Sequence, residues 1–391
     1  MPVEFVPGRE AAEDYRRQRQ QAEYGRDDSG ATVRAGFESY LETGRGRVAE
    51  ITRLYTLDDA DAEALADRML NEVTTDKLSP LDEPFGHRII SNLAERVRKI
   101  CEKGSIPIRE GVVIGVSPID GLHAYQSEVP ATDASIIDFS MQFVMFCNQF
   151  AILLSRTLPH EVSDQGANVN CDPDVIARVL DEDRELLLNW RLFATSFVIR
   201  GHAMDLPRLP VDGERISTRV QILFAMEMFA VAHEYGHHVL MHGVTDSSAS
   251  KGDGLQMEHD ADGFARMVSM AFGTDPESYN GFATSGAGAV LMLGAIDLVR
   301  RASHVLSTGN TEFPPRTTHP DLEARISHIA TFDSYAPEEM WAQFGAMRTD
   351  LYGVVEAIWA ALLPVFLGLH RDTEVRPPEP KQGAADWMSL M

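Results

Sequence analysis

His233-Glu234-Tyr235-Gly236-His237 places two histidines four residues apart with a glutamate beside the first, and Glu258 follows 21 residues after His237. On an α-helix a four-residue step turns the side chain by about 40° and advances it by roughly 6 Å, so both imidazoles can reach one metal ion. A strand would not present them this way. Two imidazoles and a carboxylate form a His2Glu set that leaves the fourth position of a tetrahedral zinc open for water, as a catalytic site requires and a structural site does not. Glu234, adjacent to the first histidine, is the residue type and position for a general base that takes a proton from that water and later delivers it to a leaving amine. A chain with 13 His among 391 residues produces such a motif by accident only rarely, roughly 0.03 times on composition. The competing reading is a helix whose histidines merely pack or hydrogen-bond, with Glu234 as a solvated charge.

The elements that must hold these residues are legible on both sides. Val220, Leu223, Phe224, Met228, Val231 and Ala232 recur at three- and four-residue steps, and Ser217 to Met241 contains no Pro, which predicts a helix with Gly236 as its one weak point. Gly252 and Gly254 break the chain, after which Met257, Ala261, Phe264, Ala265, Val268 and Phe272 keep helical spacing. This second helix carries Glu258 and Asp262 on one face, one turn apart, so Asp262 is placed to accept the N–H of a ligand histidine and fix its tautomer. If the loop Phe313 to Thr318 folds over the metal, His319 or Arg325 could donate to an oxyanion. His238 and His259 are each offset by about 100° from their ligand neighbours and are expected in core or helix-surface roles, as is His304. His242, near the helix end, is expected to complement the dipole when protonated and is not assigned as a ligand.

His233-Glu234-Tyr235-Gly236-His237, Glu258 through Ala261-Asp262, and Thr318-His319-Pro320 with Arg325-Ile326 together resemble the gluzincin peptidases of the Ste24 and HtpX type, family M48. Asp260 stands where that family's pattern around the third ligand has a glutamate. The resemblance spans about 110 residues and implies His233, His237 and Glu258 as ligands of one zinc ion per chain, Glu234 as base, and His319 close to the metal. A more distant likeness is to the phage-exclusion peptidase Lit and to the HExxH peptidases that cleave repressors in mobile elements. The resemblance implies an α+β fold, mainly helical and zincin-like, with a protein or peptide as substrate. The alternative is a metal-stabilised sensor or interaction protein that cuts nothing.

A formal net charge of -24, from 35 basic and 59 acidic residues, argues against nucleic-acid backbones and anionic membrane surfaces as partners. Cys101, Cys147 and Cys171 form no CxxC pair, which fits a reducing cytoplasm rather than a disulfide framework. The first residues lack a basic start followed by an apolar core, so no secretory signal is expected and the expected location is cytoplasmic. Residues 1–32 read as a flexible or weakly helical polar arm, 33–104 as a helical region, 105–370 as the catalytic unit and 371–391 as a disordered Pro-containing tail. The runs Gly111 to Val116 and Ala134 to Phe139 predict a small antiparallel sheet preceding the HExxH helix, and an edge strand of such a sheet can bind an extended peptide. Met141 to Leu154 reads as a buried core helix and Gly286 to Val305 as a small-residue helix whose polar face carries Asp297 and Arg300. Gly353 to Leu369, apolar apart from Glu356, sits at the lower length limit for a membrane span, and core or partner contact is the preferred reading.

Overall fold

Three short strands, β1 (Val112–Ser117), β2 (Ala124–Glu128) and β3 (Ser135–Ser140), hydrogen-bond in the order β1-β3-β2. The computed structural model describes residues 8–23, 60, 63–64, 67, 79, 81–117, 121–163, 166–203, 206–207, 209, 213–242, 254–276, 279–313 and 320–377. β3 runs parallel to β1, with Val112 opposite Ser135, and antiparallel to β2, with Ala124 opposite Phe139. The sheet is therefore mixed rather than antiparallel. Only β2 and β3 are joined by a short hairpin connection, while β1 reaches β3 through the intervening strand and so lies parallel to it. All six residues of β3 are buried, which explains the Ile136-Ile137 run in place of a polar-apolar alternation: both faces of the strand are covered.

One of those faces is covered by α1 (Arg9–Glu23), within the stretch expected to be a flexible arm. Ala12 joins Val113, Val129, Ala134 and Ile136 in a small apolar cluster. Arg16, 3% exposed, anchors the helix: its Nε lies 3.1 Å from Oδ2 of Asp138 on β3 and its Nη1 3.0 Å from Oδ2 of Asp82. Gln20 donates to Asp82 and accepts from Ser79, while Arg19 reaches the Tyr125 hydroxyl and Ser127 Oγ on β2. Residues 9–23 of the stretch read as an arm are thus a helix, docked by one alanine and by polar side chains.

The other face packs on α2 (Pro84–Lys103) and on the motif helix α6 (Ile216–Val239). The sheet does not lead directly into α6. Between them come α3 (Met141–Thr157), the hairpin of β4 (His160–Ser163) and β5 (Gly166–Val169), α4 (Pro173–Glu182) and α5 (Arg184–Arg200). α3 is a buried core helix, as its composition predicts. α7 (Gly254–Gly273), the one-turn α8 (Gly281–Thr284), α9 (Ala287–Thr308), α10 (Leu322–Thr331) and α11 (Glu338–Asp372) complete the chain. One continuous apolar cluster runs from Ile90 on α2 through α3, α5, α6 and α9 to Phe366 on α11, so the boundary expected at residue 105 does not divide the core.

On α9 the expected polar face is internal. Asp297 is 3% exposed, accepts from Arg300 at 2.9 Å and pairs with Arg301, which also donates to Glu356 on α11 at 2.9 Å. α11 contains the whole Gly353 to Leu369 run, buries Val354, Val355, Ile358 and Leu362, and packs against α9, with Val355 set against Gly294. By length and composition alone it is long and apolar enough to cross a membrane. The C-terminal tail from residue 378, and most of 33–80, lie outside the described residues.

Candidate metal centre

α6 and α7 meet closely at Gly236, where a side chain would press on the facing helix. A Cβ on it would stand 3.0 Å from Cδ1 of Phe264 and 3.3 Å from Cα of Ala261, inside ordinary contact with the facing helix. The residue that is weakest by helix propensity is therefore the one that lets α7 approach closely enough to present Glu258 to the two histidines.

Nε2 of His233 and Nε2 of His237 are 3.1 Å apart; Glu258 places Oε2 3.4 Å from His233 Nε2 and Oε1 3.6 Å from His237 Nε2. The last two distances run to different oxygens of Glu258; with one ligand atom taken from each residue, the three lie within 4.8 Å of one another, close to the roughly 3.3–3.5 Å that separates the donors of a tetrahedral zinc. The three residues could hold a metal ion. His233 is fully buried, whereas the side chains of His237 and Glu258 each retain 12% exposure, leaving the open side of the triangle at their edge.

Behind the triangle, Nδ1 of His233 lies 3.0 Å from Oδ1 of Asp262, and Arg325 from α10 forks onto the same carboxylate, Nε to Oδ2 at 2.7 Å. Asp262 and Arg325 are 0% and 2% exposed. With Nδ1–H donating to Asp262, the lone pair of His233 is at Nε2, facing the other donors. Arg325, for which an oxyanion role was open, is committed to Asp262 instead, with its Nη2 3.9 Å from Glu258 Oε2.

His242 is the contact that sequence reasoning missed. Its Nδ1 lies 2.8 Å from Nδ1 of His237, because Met241 adopts φ 59° just past the helix end and turns the chain back. Two ring nitrogens can share one hydrogen only if one donates, so His237 Nδ1–H donating to His242 leaves His237 Nε2 free for a metal. His242 is 6% exposed and burial lowers its pKa, so it is a neutral acceptor rather than the protonated helix-end residue expected. The available signal was its five-residue offset from His237, which falls off the helical face and becomes meaningful only with the turn.

The charges order themselves around the triangle. Burial pulls the pKa of His233 down, but hydrogen bonds to Asp262 and Glu258 outweigh it and hold it at about 9. His237, buried and beside His233, is lowered to about 3. Burial alone would raise Glu258 and Asp262; hydrogen bonding and charge from His233 and Arg325 hold both below the ordinary carboxylate range.

Glu234 is 1% exposed, one residue beyond His233 on α6, and its charge is felt by Arg325. His238 is a core residue: Nδ1 lies 2.9 Å from Ser135 Oγ and Nε2 3.1 Å from the Arg109 carbonyl, tying α6 to β3. His259 packs its ring against His328, centroids 4.6 Å apart, and His304 meets the Glu312 carbonyl, so neither joins the triangle. His319 lies outside the described residues. In comparison with known proteins, the chain matches no family model, no curated protein and no solved structure.

Proposed function

We propose that this protein is a zinc-dependent endopeptidase, with His233, His237 and Glu258 as the zinc ligands and Glu234 as the general base. The observation that carries this reading is the cluster of His233, His237 and Glu258, one ligand atom from each lying within 4.8 Å of the others, formed by an HExxH helix and a glutamate from a second helix. Zinc supplies Lewis acidity toward a water and toward the substrate carbonyl. Asp262, forked by Arg325, would accept Nδ1–H of His233 and so leave its Nε2 lone pair available to the ion, and His242 would do the same for His237. Glu234 takes the proton from the attacking water at its carboxylate and returns it to the leaving nitrogen. β2 supports a protein substrate: it is an edge of the sheet, it packs on α6, and an extended peptide can add to such an edge through backbone hydrogen bonds that tolerate many sequences.

A second reading, a metal-stabilised sensor, draws support from the near-complete burial of Glu234. Glu234→Gln separates the two. The peptidase reading expects this variant to bind zinc like the wild type while cleavage of an unfolded protein substrate falls by about 10²- to 10⁴-fold. Zinc binding in both proteins with cleavage in neither would instead leave the sensor reading standing.

A further inference from the structure

Between α2 and α7 lies a groove of about 990 Å³ that takes no part in the metal centre. Its floor is apolar, built from Ile100 on α2 and from Phe264, Met267 and Ala271 on α7. Its α2 rim is cationic: Arg96, Lys99 and Lys103 follow one another at steps of three and four residues, and all three are exposed. Lys99 approaches Glu95 at 3.6 Å, and Arg96 lies over the Phe272 ring. Neither Arg96 nor Lys103 forms an ion pair with a described residue. Asp275 is the only acidic residue among the described residues of the lining, so the groove is locally positive on a chain whose formal charge is -24.

We propose that this groove docks an acidic amphipathic helix of a protein partner. Apolar side chains repeating at three- and four-residue steps fill the floor, while Asp or Glu on the flank meet the α2 rim. The spread of the charge selects a helix over an acyl anion with one headgroup. Arg96 to Lys103 covers about 10 Å along α2, a span that a single carboxylate cannot match and a row of helical carboxylates can. The docked helix rests on Phe264, whose ring packs against Gly236 between His233 and His237, so the surface lies one side chain from the candidate metal centre. The proposal does not depend on that centre being catalytic.

The test is a fluorescence-anisotropy titration of the full chain with a labelled helical peptide of about four turns, carrying Leu on one face and Glu on both flanks. The same peptide with Lys in place of Glu, the same peptide with Ser in place of Leu, and dodecanoate serve as the other probes. The expected result is saturable binding of the Glu peptide, at least about tenfold weaker for the Lys and Ser versions and for Arg96→Glu/Lys103→Glu, whose melting temperature matches the wild type. Ala271→Trp, which fills the floor from an exposed position, is expected to weaken binding similarly. Equal binding of Glu and Lys peptides, binding unaffected by either variant, or charge-dependent binding of dodecanoate alone would overturn the assignment.

Discussion

Asp262 meets three demands at once: it accepts from His233, it is forked by Arg325, and it is wholly buried. Asp262→Ala is expected to lower zinc affinity by about 10- to 100-fold, read by competition with a chromophoric chelator, because the ring of His233 loses its orienting partner. The same change strands the Arg325 guanidinium in the core, and unfolding in denaturant should report a loss of about 3–5 kcal/mol. An unchanged zinc affinity would remove Asp262 from the metal centre. Glu227 is a second buried carboxyl, on α6 two turns before Glu234, and burial alone pushes its pKa from 4.5 up to about 8. The folded chain therefore keeps this proton while the unfolded chain gives it up near pH 4.5. Its contribution to stability is fully present below about pH 4.5, declines as pH rises, and is gone above about pH 8, a span worth at most about 5 kcal/mol. Glu227→Gln should flatten that decline, so that the variant gains on the wild type as pH rises from 5 to about 8.5 in chemical denaturation. Parallel profiles for the two proteins would show that Glu227 is ionised in the fold.

Helices α6 and α7 are readable in the sequence because their apolar residues keep the helical period and their chemical residues fall on one face. α1 is not. Beyond Ala12, it meets the sheet through Arg16 and Arg19, and Gln20 ties it to Asp82; a period of polar and charged residues looks like a solvated face until Asp82 and Asp138 are brought beneath it. The direction of β1 against β3 is hidden for a related reason: a run of β-branched residues announces a strand but carries no information about its neighbour. Arg16 is thus the fastening of an element whose composition suggests a loose arm. Arg16→Met leaves Asp82 and Asp138 without their shared cation and is expected to cost about 3–5 kcal/mol. Amide exchange over residues 9–23 should rise with it, since α1 has little apolar surface of its own to hold it on the sheet. Exchange as slow as in the wild type would mean that the buried ion pairs do not hold the helix.

Across the whole molecule, the division into segments is the least legible feature. Composition shifts near residue 105, yet Ile90, Leu93 and Val97 of α2 enter the same apolar cluster as α6, because a core is defined by which faces meet and not by where texture changes along the chain. Much of the site is legible: His233, His237, Glu258 and Asp262 converge from two helices as their spacing suggests, while the pairing of Arg325 with Asp262 carries no spacing signal. His242 is not, since its position depends on a left-handed turn at Met241 that no periodicity encodes. If α6, α7 and α10 converge to hold one metal ion, as proposed, elemental analysis finds about one zinc per chain in purified wild type and in Glu234→Gln, and none in His237→Ala or Glu258→Ala. Wild-type protein without zinc after dialysis against a zinc-buffered solution, or His237→Ala that keeps its full complement, would contradict that proposal.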